Sequence, residues 1–298
     1  MNDPQSLVER RKDNFDLRPA LEFVSRHIGQ YQASLLNLTS GQPSVPPNFS
    51  KIECADPAMC LNCDRLDSQP QITPTDIRKI LPHIPVIFHT LSQLEKIDYV
   101  DNRIVPVPVF DTDGSWRDVE FVSVDSFPRP SDHPSRILIG RSDGHIIYPS
   151  ALPMIVWGDN QCRWFYQLHV FLHEFFHTIE YLRRSKKLRE KIVLESEQGK
   201  RFTFQAWWSQ WEDEFCPTTK PPFATRYAAT YANSLNWDAF EKQPDVFTRA
   251  LAEQICESFA SYILGIAPND QDNPDFKSHS PAAWRLMHEL AQARVLEL

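Results

Sequence analysis

Two histidines, His173 and His177, stand four residues apart around Glu174 in the stretch VFLHEFFHTIEYL, residues 170–182. On a helix that spacing puts both imidazoles on one face, a turn apart, where two ring nitrogens can reach a single cation. Glu174 follows the first histidine directly, so its carboxylate can lie beside the ion's open position without filling it. Zinc held in this way polarises a carbonyl and acidifies a water, and the adjacent glutamate takes the proton. The string H-E-x-x-H therefore carries the chemistry of a metal-dependent hydrolase using one Zn2+ per chain. The competing explanation is a buried helix whose histidines are satisfied by neighbouring carbonyls or carboxylates. Val170, Phe171, Leu172, Phe175, Phe176 and Ile179 do make this a core helix, where unpartnered imidazoles would be costly. An ion removes that cost, and a third ligand decides between the two explanations.

The three-histidine metalloprotease pattern needs a glycine three residues after the second histidine and a histidine three beyond it. Glu180 and Arg183 occupy those places, which excludes that class. A glutamate about twenty residues downstream would suit a two-histidine, one-glutamate site, and Glu197 lies there, although its surroundings, LESEQGKR, are polar on every side. The segment ALAEQICESFASYIL offers Glu257 instead. Leu251, Ile255, Phe259, Tyr262 and Ile263 form an apolar stripe at helical spacing with Glu257 near its edge, and a carboxylate so placed needs a partner.

HEFFHTIEY, the later RYA and then E-S-F-A together resemble the gluzincin metallopeptidases related to anthrax lethal factor and the Pro-Pro endopeptidases, over residues 135–264. The resemblance implies a zincin-like catalytic domain and a zinc-dependent endopeptidase acting on a protein or peptide substrate. By the same resemblance His173, His177 and Glu257 are the zinc ligands, Glu257 through an E-x-x-A motif, and Glu174 is the base. Tyr227 in FATRYAATYA is the oxyanion donor, with Tyr231 the near alternative. SRILIGRSDG, residues 135–144, is similar to the edge strand to which such enzymes add an extended substrate. One departure stands out: thirty residues separate Tyr227 from Glu257, where the family keeps its tyrosine within about two turns of the glutamate. The alternative function is a zinc-binding interaction or toxin-like module without turnover.

These residues must be positioned by the rest of the chain. Residues 17–38 carry helical spacing, and TSGQPSVPPNFS then breaks it. TDIRKIL reads as a short helix capped by Thr75 or Asp76. From Pro85 onward VIFHTL, RIVPVPVF, DVEFVSV and SRILIG read as strands, with DTDG as a hairpin turn. After Trp157 the pattern is helical to the C-terminus. The expected class is α+β, with residues 1–84 as a helical, cysteine-bearing region and 85–298 as the metallopeptidase domain. The tryptophans of FQAWWSQWEDEF, Trp207, Trp208 and Trp211, read as a core face. The basic run RRSKKLREK reads as a solvated helix face.

A net charge of −8 argues against broad nucleic-acid binding, which needs a cationic surface. No stretch reaches the roughly 18 apolar residues of a membrane helix, and the N-terminus has no apolar signal core. The expected location is cytoplasmic, or exported without such a signal. Cys54, Cys60 and Cys63 cluster in CADPAMCLNC, where a structural zinc completed by His83 or His89 competes with a disulfide or free thiols.

Overall fold

The computed structural model describes residues 18–44, 52–54, 74–92, 96–101, 105–110, 116–122, 129–130, 136–141, 160–182, 186–215, 222–234, 244–269 and 274–298. In chain order the elements are α1 (Arg18–Arg26), α2 (Ile28–Ser40), β1 (Ile52–Cys54), α3 (Pro74–Ile80), α4 (Val86–Ser92), β2 (Lys96–Asp101), β3 (Val105–Phe110), β4 (Trp116–Val122), β5 (Arg129–Pro130) and β6 (Arg136–Arg141). There follow α5 (Asn160–Leu182), α6 (Lys186–Lys191), β7 (Val193–Glu195), β8 (Arg201–Thr203), α7 (Phe204–Glu214), α8 (Arg226–Ser234), α9 (Pro244–Leu264), α10 (Phe276–His279), α11 (Pro281–Ala291) and β9 (Arg294–Glu297). This is an α+β arrangement.

The first sheet has the order β1-β2-β6-β5, with β1, β2 and β6 parallel and β5 antiparallel to β6. Parallel neighbours require crossover connections. The chain between β1 and β2 carries α3 and α4, and that between β2 and β6 carries the separate antiparallel β3–β4 pair; DTDG, expected as the turn between them, lies outside the described residues. β5 and β6 pack against α5.

VIFHTL is a helix, not a strand. Its β-branched and aromatic residues favour a strand locally, but Pro85 begins a turn, the amide of Phe88 bonds back to the carbonyl of Pro85, and Ile87, Phe88 and Leu91 are buried beside α5. Burial on a helical face outweighs a β-propensity worth under about 1 kcal/mol per residue. The C-terminal half is also not purely helical. β7 pairs with β8 and with β9 in an antiparallel sheet. Gly199 turns the β7–β8 hairpin with φ of 75°, a conformation that suits glycine, and RVLE at the C-terminus pairs with β7 instead of extending α11.

α5 and α9 pack against each other more extensively than any other pair of described helices. Phe175, Phe176 and Phe259 join Phe88 in an aromatic cluster between them, with Phe175 and Phe259 stacked 5.6 Å apart. Fully burying each such ring stabilises by roughly 1.5–3 kcal/mol. Trp207, Trp208 and Trp211 of α7 are buried, and Trp207 Nε1 donates to the Leu286 carbonyl. In the basic run, Lys186 and Lys187 are exposed, but Arg189 is buried across the Trp208 ring with its Nε donating to Gln205. Phe23, Val24 and Tyr31, from α1 and α2, belong to the same buried cluster as the α5 and α9 side chains. Gly265, with φ of 67°, ends α9. Among the described residues no helix is long and apolar enough to cross a membrane.

Candidate metal centre between α5 and α9

The facing surfaces of α5 and α9 concentrate side chains that can bind a cation. Spacings of four, four and three residues put His169, His173, His177 and Glu180 along one side of α5. Spacings of three and one bring Glu253, Cys256 and Glu257 to one side of α9. His173 Nε2 and His177 Nε2 lie 3.0 Å apart. The Glu253 carboxylate addresses both rings from the facing helix, Oε2 at 3.3 Å from His173 Nε2 and Oε1 at 3.8 Å from His177 Nε2. Donors about 2.0–2.1 Å from one tetrahedral ion are separated from each other by about 3.3 Å. The separations around His173, His177 and Glu253 are near those such an ion needs, with a different Glu253 oxygen facing each ring.

Glu257 does meet His173, but on the other side of the ring. Its Oε1 lies 2.7 Å from His173 Nδ1, and its Oε2 takes bonds from His169 Nε2 at 3.1 Å and from the Thr225 hydroxyl. An ionised carboxylate only accepts, so the ring nitrogens that face it carry hydrogens. In the neutral imidazole of His173 that leaves the lone pair on Nε2, on the side of His177 and Glu253. Glu180 lies on the Nδ1 side of His177, its Oε2 3.6 Å away, outside hydrogen-bond distance. Glu197 is exposed on the β7–β8 turn, whereas the histidines are buried. Glu253, the carboxylate nearest both Nε2 atoms, has a signal in the sequence: it lies one helical turn before Glu257, on the same face of the apolar stripe. His169, a turn before His173, has the same kind of signal.

Electrostatics follow from burial and pairing. Burial alone would lower the pKa of His173, but hydrogen bonds with Glu253 and Glu257 outweigh it and raise the pKa to about 9. Burial likewise opposes charge on His177, yet contacts with Cys256, Glu180 and Glu253 hold its pKa well above the ordinary value. Burial raises both carboxylates, but the facing histidines win and keep Glu253 and Glu257 far below the usual carboxylate range. Without a metal the cluster thus stores protons on imidazoles against carboxylates. A cation bound there would replace those protons, because ligating histidines must be neutral. His173, His177 and Cys256 are all buried, with ligand atoms within 4.8 Å of one another, and this group can hold a metal ion.

Tyr227 comes close despite its distance along the chain. The loop before α8 is tied to α9 twice: the Ala224 amide donates to Gln254 Oε1 and the Thr225 hydroxyl donates to Glu257. The Thr225 oxygen also accepts from the Ala228 amide, capping α8. The Tyr227 ring stands edge-on to His173 at 5.8 Å, and Tyr231 lies beyond it, 6.2 Å from Tyr227. Burial first, then the charges of Glu253, Glu257 and Glu174, push the Tyr227 phenol well above its ordinary pKa, so it stays protonated. Glu174 is half-buried on α5, between the two histidines in sequence. Glu253, at 17% side-chain exposure against 7% for His173, marks the side on which the cluster meets solvent.

The expected substrate edge is different from the expectation. β6 has β2 along its whole length on one side, and β5 pairs with Ile137 and Leu138 on the other. It is an inner strand there, because the chain doubles back through Arg129 and Pro130 before entering it. In the cysteine cluster, Cys54 lies in β1, while Cys60 and Cys63 fall outside the described residues. His89 spends its Nε2 on the Leu81 carbonyl at 2.9 Å. Comparison of the chain with protein-family models, with curated proteins and with solved structures finds no match.

Proposed function

We propose that this chain is a zinc-dependent peptide hydrolase of the gluzincin type, with its metal held by His173, His177 and Glu253. One observation carries the reading: the two buried histidines that flank Glu174 in the sequence bring their Nε2 atoms 3.0 Å apart, beside a carboxylate of the facing helix. A bound zinc ion supplies Lewis acidity at a peptide carbonyl and at a water. The protein's own groups supply the rest. Glu174 accepts the proton of the attacking water and returns it to the leaving amine, which is general base and then general acid catalysis. Tyr227, kept protonated by burial and by nearby carboxylates, donates a hydrogen bond to the carbonyl oxygen as negative charge grows there. Glu257 accepts from His173 Nδ1 and fixes the tautomer that presents Nε2. His169 and Thr225 occupy the other Glu257 oxygen and hold that carboxylate in place. The resemblance of HEFFH and the downstream glutamate helix to gluzincin enzymes supports the same reaction class and makes a protein or peptide the substrate, although its E-x-x-A motif would put Glu257 on the metal in place of Glu253.

Incubating wild-type protein and Glu174→Gln with a denatured proteome, and sequencing the new peptide termini, tests the reading. New termini should arise with wild type and be absent with the variant, while both hold about one zinc per chain. Equal cleavage by both would refute the role of Glu174. Zinc retention with no cleavage by either would favour a metal-binding module without turnover, a reading supported by a fourth potential donor, Cys256, beside the cluster.

A further inference from the structure

Cys256 lies between Glu253 and Glu257 on the site-facing side of α9, fully buried and not in a disulfide. The peptidase reading leaves it without a task, yet its sulfur lies within 4.8 Å of the ligating nitrogens of both His173 and His177. A nitrogen and a sulfur on one tetrahedral zinc are about 3.6 Å apart, given bond lengths of about 2.0–2.1 Å and 2.3 Å. A shift of at most about 1.2 Å would bring the sulfur to that separation. Zinc sites with three protein donors keep a position open for chemistry, and sites with four are closed.

We propose that Cys256 is a fourth protein donor to the ion held by His173, His177 and Glu253, giving the site a closed resting form and a preference for thiophilic divalent cations. The proposal rests on the metal reading given above. The step would be a ligand exchange: the water in the fourth position leaves, the S–H bond breaks, its proton goes to the buffer, and a sulfur lone pair forms the bond to the cation. No electron changes hands. In this form the position that water or a peptide carbonyl would take is filled, so Cys256 must leave before substrate can be polarised.

Cobalt(II) reports the donor set directly, because a thiolate ligand adds an intense near-ultraviolet charge-transfer band that nitrogen and oxygen donors lack. Full-length protein loaded with one equivalent of cobalt(II) should show that band, and Cys256→Ser and Cys256→Ala should lose it while keeping the weaker visible bands of bound cobalt. Competition between cadmium and zinc gives a second readout: the variants should lose on the order of tenfold of the wild-type preference for cadmium, as softer sulfur gives way to nitrogen and oxygen. Wild-type protein that binds cobalt without the charge-transfer band, or a band that persists in both variants, overturns the assignment of Cys256 and leaves the His173, His177 and Glu253 site standing. Failure of wild-type protein to bind cobalt at all overturns both.

Discussion

Replacing Glu253 or Glu257 by glutamine separates the two carboxylates that face His173. Glu253 addresses the Nε2 atoms of both histidines, at 3.3 and 3.8 Å, whereas Glu257 bonds only to Nδ1 of His173, at 2.7 Å. Loss of a carboxylate that merely orients a ligating histidine costs about 10- to 100-fold in metal affinity, or about 1.4–2.7 kcal/mol. Glu257→Gln should fall in that range, because the amide oxygen can still accept from His173 Nδ1. Glu253→Gln removes one of three charged or imidazole donors and should cost more than about 100-fold. The assay is zinc titration against a chromophoric chelator of known affinity, with far-ultraviolet circular dichroism to establish that each variant is folded. If Glu257→Gln loses more affinity than Glu253→Gln, the geometric assignment is wrong and Glu257 is the direct ligand, as the E-x-x-A resemblance implied.

In chelator-treated protein His173 has its pKa raised from 6.5 to about 9, so the stability from its carboxylate contacts is fully present below about pH 6.5 and lost as pH rises through about 9. Glu253 and Glu257 are depressed, so their contribution is present above about pH 4.5 and lost as pH falls; thermal melts should peak between these limits, and a midpoint that rises from pH 6.5 to 9 would contradict the pairing. Tyr227→Phe should keep zinc but lower peptide turnover by roughly 100- to 1,000-fold, the usual cost of one oxyanion donor; measured activity within a factor of about two of wild type would move the role to Tyr231 or elsewhere. Phe259→Ala, which opens the aromatic cluster among Phe88, Phe175 and Phe176, should destabilise by roughly 3–5 kcal/mol in urea titration, and a loss below about 1 kcal/mol would show that the cluster refills.

The sequence disclosed the α5 core helix, its paired histidines and the apolar stripe of α9, because each rests on short-range periodicity. It also led to Trp207, Trp208 and Trp211 as core and to the β3–β4 hairpin. It misassigned Val86–Ser92, whose side chains suit a strand and whose helix is fixed only by packing on α5. It missed β9, which is a strand only because β7 lies beside it. Within the site, the pairing of His173 with His177 was legible because both share one helix, but which of Glu253 and Glu257 lies nearer their Nε2 atoms was not. Both carboxylates lie on the same face of α9, and only the rotation and height of that helix against α5 decide which one meets Nε2. The approach of Tyr227 was hidden for the same reason. It depends on Gln254 and Glu257 catching the loop before α8, contacts made across thirty and thirty-two residues.

The central claim is that α5 and α9 hold one metal ion between them. Crystals of zinc-loaded protein, with diffraction recorded on both sides of the zinc absorption edge, test it most directly. One anomalous peak should lie about 2.0–2.2 Å from His173 Nε2, His177 Nε2 and a Glu253 oxygen. No peak between the two helices, or zinc found only at Cys54, Cys60 and Cys63, would contradict it.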